Sequence, residues 1–168
     1  MKRFLMVAIV TLLCFGATNA QELTKEDKEL LKISKKEAKE LEKDGWKTTV
    51  GDLSIEKQLL RCYKQTLEIT DDGYERYIIG TGMAQAMDHR MAVTRATQLC
   101  QADAATKLSN FISSDKSGTV HKVQENLILG RKIILLNLYR IKDEQIEVIM
   151  KCGYDFAESV NKTRQSVK

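Results

Sequence analysis

The chain has 168 residues, with 27 basic and 23 acidic side chains, four cysteines and no proline. So even a charge balance offers no clustered basic footprint for nucleic acid, and the length suits one domain around one core. The lack of proline excludes a proline-rich linker or ligand motif, and neither an internal repeat nor a low-complexity tract is present.

Residues 1–20 read as a signal peptide. Lys2 and Arg3 precede an apolar run from Phe4 to Phe15 broken only by Thr11, and small residues follow up to Ala20, the expected cleavage point. The run is shorter than the roughly 20 residues needed to cross a bilayer. Cys14 follows Leu12 and Leu13, whereas bacterial lipid attachment wants a small residue before the cysteine. The expectation is an exported protein, soluble or peripherally attached, with no transmembrane segment in the mature chain. Cys62, Cys100 and Cys152 then lie in an oxidising compartment. Either one pair is bridged and one thiol is left over, or all three are small buried hydrophobes. None belongs to a Cys-x-x-Cys, which gives a metal or redox motif no support.

Residues 21–45 form a charged N-terminal helix. Thr24-Lys-Glu-Asp27 resembles a capping box. Leu23, Leu30, Leu31, Ala38 and Leu41 make one thin stripe, Lys25–Glu29 and Lys36–Glu40 pair on the outside, and Gly45 stops the helix. An α+β domain is expected over residues 46–156. Trp46, the only tryptophan, is placed to dock the charged helix on it. Gly51-Asp52-Leu53-Ser54 is a turn and cap for a second helix, with Ile55, Leu59, Cys62 and Tyr63 on one face and an end near Ile69. Thr70-Asp71-Asp72-Gly73 is a turn.

The organising unit runs from Tyr77 to Ile112. In its strand Tyr77, Ile79, Thr81 and Met83 point one way and Ile78, Gly80, Gly82 and Ala84 the other. Glycine inside a strand costs stability unless something must come close. The following helix, Met87 to Ile112 with Asp88 as cap, is the expected neighbour, through a stripe of Val93, Ala96, Cys100, Ala104, Leu108 and Phe111. Residues 118–131 read as irregular to extended. Ile133–Lys142 and Ile146–Tyr154 alternate around a turn at Asp143-Glu144-Gln145, as in an antiparallel hairpin. Residues 157–168 form a polar C-terminal tail, at most a marginal helix that frays.

Motifs that carry chemistry are weak. Gly80-Thr-Gly82 lacks the third glycine of a dinucleotide fingerprint and the ending of a P-loop, so it reads as packing. His89 has Gln85 and Val93 as same-face neighbours, which is no zinc pair. Helical rise puts it roughly 16 Å from Cys100, against the ~3 Å that a nucleophile and its base require. His121 reads as a surface or boundary residue. Asp71 and Asp72 suit local hydrogen bonding in a turn. With no nucleophile elbow, His-Glu-x-x-His or EF-hand loop, no enzyme, metal or cofactor is expected.

Glu37-Ala38-Lys39-Glu40-Leu41, Asp44-Gly45-Trp46-Lys47 and Glu56-Lys57-Gln58-Leu59 resemble the opening of a group of uncharacterised exported proteins from Bacteroides and its relatives. The Tyr77–Phe111 segment and the Ile133–Tyr154 hairpin are similar to the small outer-membrane lipoprotein family first recognised in Helicobacter. The resemblance covers about two thirds of the mature chain in packing motifs. It implies an α+β domain of the bacterial cell envelope, in the periplasm or associated with the outer membrane. Without a usable lipid-attachment cysteine, the anchor does not carry over.

The expected fold is therefore α+β: a small antiparallel sheet of three or more strands against one long helix, with additional N-terminal helices. Gly80, Gly82 and Trp46 are its expected packing residues, and Cys100 and Cys152 face the sheet–helix core as the candidate disulfide. The expected role is a structural or protein-interaction module holding another envelope protein by its charged helix or a sheet edge. The alternative is a binding protein for a small apolar or peptide ligand between sheet and helix. A hydrolase would need His89 or His121 beside a nucleophile.

Overall fold

The structure, a computed structural model, describes residues 24–49, 51–71, 73–114 and 127–166. Residues 1–20, expected to be a signal peptide, lie outside them, as do Leu23, Asp72 and residues 118–126, with His121 among them. Helix α1 (Lys25–Lys43) begins where the Thr24 side chain accepts from the Asp27 amide at 3.1 Å. It ends in a Schellman turn: Trp46 N–H reaches the Leu41 carbonyl and Gly45 N–H that of Glu42, with Gly45 at φ +84°. Its inward stripe differs from the expected one. Ser34 and Ala38 are the buried residues, while Leu30, Leu31 and Leu41 are half-buried. Ser34 is tolerated there because its hydroxyl donates to the Leu31 carbonyl.

Strand β1 (Lys47–Thr48) follows, then α2 (Ile55–Thr66), capped by Ser54. Helix α2 stops short of Ile69, which forms an isolated bridge with Glu75 instead. Asp27 of α1 pairs with Lys64 of α2 at 2.6 Å, tying the two helices together. Strand β2 (Tyr77–Ala86) leads through Asp88, whose carboxylate accepts from the Met91 amide, into the 26-residue α3 (His89–Ser114). Strands β3 (Lys132–Lys142) and β4 (Gln145–Asp155) form the hairpin. Its two-residue turn holds Asp143 and Glu144 at φ +51° and +61°, the left-handed pair that matches strand twist.

The sheet is four-stranded and antiparallel, in the order β1-β3-β4-β2. One face carries α3 across β2 and β4. There Ala92, Ala96, Cys100, Ala104 and Leu108 meet Ile78, Val148, Met150, Cys152 and Tyr154. Ala92 takes the place in the stripe expected for Val93, which is only half-buried. The other face carries α1 and α2 over β3, with Ala38, Trp46, Ile55 and Leu59 on Leu136 and Leu138.

The C-terminal tail is a helix that docks, α4 (Phe156–Ser166), and not a fraying end. Ser159 and Thr163 are fully buried and Val160 nearly so. Residues 127–131, irregular as expected, lie against it. Ile128 N–H donates to the Thr163 hydroxyl and Gly130 N–H to that of Ser159. At its start Phe156 packs on Phe111 and Tyr74.

Candidate functional site

Gly80 and Gly82 lie where α3 touches β2. A carbon added at Gly80 would stand 2.0 Å from the Cys100 carbonyl oxygen, and one at Gly82 would stand 2.1 Å from that of Ala96. Backbone lies on backbone there, which only glycine permits. Cys152 pairs with Gly80 across the sheet, so it meets Cys100 over that glycine. The two are free thiols and not the expected disulfide; Cys62 is free as well. The Cys100 thiol lies 3.1 Å from the Met150 carbonyl, to which it donates. The Cys152 thiol beside it, with burial, pushes Cys100 up. Burial, with the thiols beside it, pushes Tyr154 up to about 12. Cys100 and Cys152 have no exposed surface among the described residues, so this cluster packs the core.

Trp46 is buried as expected, and its partner is a charge. The Arg140 guanidinium stacks 4.5 Å from the centre of its ring. Arg140 in turn holds the buried Glu147 at 2.5 Å, and Gln85 reaches the other Glu147 oxygen at 3.2 Å. Gln85, Glu147 and Arg140 are one cross-strand row. The signal for it is legible in principle: Arg140 and Glu147 stand equally far from the hairpin turn, so register places the opposite charges face to face.

His89 is edge-on to Tyr139 at 5.2 Å, and its Nε2 is buried without a hydrogen-bond partner. Asp71 lies in its turn. Among the described residues no three His, Cys, Asp or Glu side chains stand together as a metal site, and no helix is long and apolar enough to cross a membrane. A cleft of about 260 Å³ opens beside β3, lined by Asp52, Gln58, Arg61, Ile134 and Asn137. Its amide is occupied at both ends. Gln58 Nε2 donates to the Leu53 carbonyl, its Oε1 accepts from the Asn137 amide, and Arg61 donates to the Ile134 carbonyl.

The feature that sequence reasoning did not single out is an apolar end. Ala86, Ile146 and Ile141 form a row across β2, β4 and β3 at the hairpin turn. His89, resting on Tyr139, brings the start of α3 over that row. Around it Met87 and Ile141 are 75% and 74% exposed. No family model, curated protein or solved structure matches the chain. The geometry of this end is therefore the main support for a functional reading. Large apolar side chains exposed together mark contact surfaces more often than scattered ones do. Only the register reveals the pair, because Met87 follows β2 and Ile141 belongs to β3.

Proposed function

We propose that this is a non-enzymatic exported protein of the bacterial cell envelope, in the periplasm or associated with the outer membrane, that serves as a structural or protein-interaction module. The compartment rests on the signal-like residues 1–20 and on the family resemblance. The interaction role rests on one observation: Met87 and Ile141, 75% and 74% exposed, at the hairpin end of the sheet. The partner is another envelope protein that covers this end. The charged face of α1 is the less favoured surface, since Asp27 is already engaged with Lys64 of α2.

A photo-crosslinking residue placed at Met87 or Ile141 in the native cell tests this. The expected result is a discrete crosslinked envelope protein from both positions and none from Lys39 on α1. Crosslinks from Lys39 alone, or from neither end, would overturn the assignment of the surface. With the crosslinker at Met87, Ile141→Lys should abolish the crosslink, and with it at Ile141, Met87→Lys should do so, each changing stability by no more than about 0.5 kcal/mol, as exposed positions allow. The alternative, a small apolar or peptide ligand between sheet and helix, has less support, because Gly80 and Gly82 bring β2 into backbone contact with α3 where it would sit.

A further inference from the structure

Among the described residues β2 has an open side along its length, the two-residue β1 is the other edge, and β3 is uncovered outside the two residues that β1 pairs with. The Thr81 amide and the Ile79 and Gln85 carbonyls point away from β4, so the odd-numbered residues of β2 present their backbone groups outward. Such a row is a template for a strand of another molecule. Here α3 reaches over it. The Asp103 carboxylate accepts from the Thr81 amide at 2.9 Å, and Lys107 donates to the Ile79 carbonyl at 2.7 Å while pairing with Asp103 at 2.9 Å. Arg95 donates to the Gln85 carbonyl at 3.2 Å.

Positions 95, 99, 103 and 107 follow one another at four-residue steps, so they form one stripe of α3. Leu99 fills the remaining step, its Cβ set close over Gly82. Between Ile79 and Gln85, no two successive outward residues keep both backbone groups available. On the other side Gln58 holds the Asn137 amide and Arg61 the Ile134 carbonyl, next to a break of register between Ile134 and Leu136.

We propose that these helix-borne side chains keep the sheet from adding a strand of a second copy of this chain, and that the β2 side opens when its stripe is removed. The β2 side is the vulnerable one. It is ten residues long and unbroken, whereas the free part of β3 is short and bulged. Met83, 55% exposed and uncovered by the stripe, marks where pairing would begin.

The test compares the full chain with its Arg95→Ala/Asp103→Ala/Lys107→Ala variant by sedimentation across a range of concentrations. The expected result is a shift of the variant's average mass from that of the wild type towards twice that value as concentration rises. Met83→Pro added to the triple variant should reverse the shift, since proline removes an outward N–H and leaves the β4 side of the ladder intact. A variant with wild-type helix and sheet signals that sediments like the wild type would overturn the proposal. Association that Met83→Pro leaves untouched would do the same, because it must then run through another surface such as the apolar end. Should the triple variant fail to fold, Lys107→Met alone, which keeps the aliphatic stem and frees the Ile79 carbonyl, is read by the same two outcomes.

Discussion

Helices α3 and α4 both lie close against extended chain, and they achieve it by opposite chemistry. Helix α3 meets β2 and β4 mainly through alanines and two glycines, with only Cys100 and Thr97 reaching Met150 by hydrogen bonds. Helix α4 meets residues 127–131 through hydroxyls. Thr163 accepts from the Ile128 amide at 3.1 Å and donates back to the Ile128 carbonyl at 3.3 Å. Ser159 accepts from Gly130 and donates to the Asp155 carbonyl. The hydroxyls, at a four-residue step, serve alternate residues of the segment as a neighbouring strand would. Full burial of a side chain therefore does not require an apolar one; it requires that each donor and acceptor taken from water be satisfied.

The sharpest way to break the first contact is to fill it. Gly82→Val would drive its new carbons into the Ala96 carbonyl and the Cys100 amide, forcing α3 from the sheet. The expected loss is about 3 kcal/mol or more, in the range of severe overpacking, read as a lower urea midpoint. An unchanged midpoint would mean that α3 does not dock there. For the second contact the matching change is Thr163→Val, which keeps the shape and strands the Ile128 amide and carbonyl. A loss of about 1–3 kcal/mol is expected, with faster hydrogen exchange at Ile128 and none of that effect at Thr81. Equal exchange at both sites would show that the hydroxyl is not what holds α4.

The smallest effect is with pH, and it should touch both contacts alike. Burial pushes Asp103 up, but hydrogen bonds from Lys107 and the Thr81 amide outweigh it and hold the carboxyl below its usual value. Hydrogen bonds from Lys162 and the Arg131 amide do the same for the exposed Glu158 on α4. A carboxyl depressed in the folded state contributes stability above its unfolded pKa, and that contribution fades as pH falls through the folded value. Both helices should hold at neutral pH and loosen slightly below the ordinary carboxylate range, more weakly in high salt. Carboxyl titrations followed by NMR check this; midpoints at or above those of the unfolded chain would reverse the sign.

The first contact was legible in the sequence and the second was not, for a physical reason. Glycines within a strand are costly unless a surface approaches, and alanines at helical spacing leave room for one, so Gly80, Gly82 and the Ala96-to-Leu108 stripe point to each other. Alternation around Asp143-Glu144 likewise shows the hairpin. Ser159 and Thr163, by contrast, look the same in sequence whether they face water or bury a satisfied hydroxyl, so α4 reads as a tail. Ser34 in α1 is missed for the same reason. The apolar end was hidden differently: Met87 and Ile141 are unremarkable in their own segments, and only strand register places them at one end of the sheet.

One further consequence lies in the order of the strands. The hairpin occupies the middle of the sheet, yet it comes last in the chain; β1 and β2 reach each other only through it. Until residues 132–155 have emerged, the earlier strands have no ladder to join, and the long alanine-lined helix has only half of its floor. The final third of the polypeptide thus acts as the trigger for assembly, and synthesis from the N-terminus delivers a chain whose sheet closes only when nearly all of it has emerged.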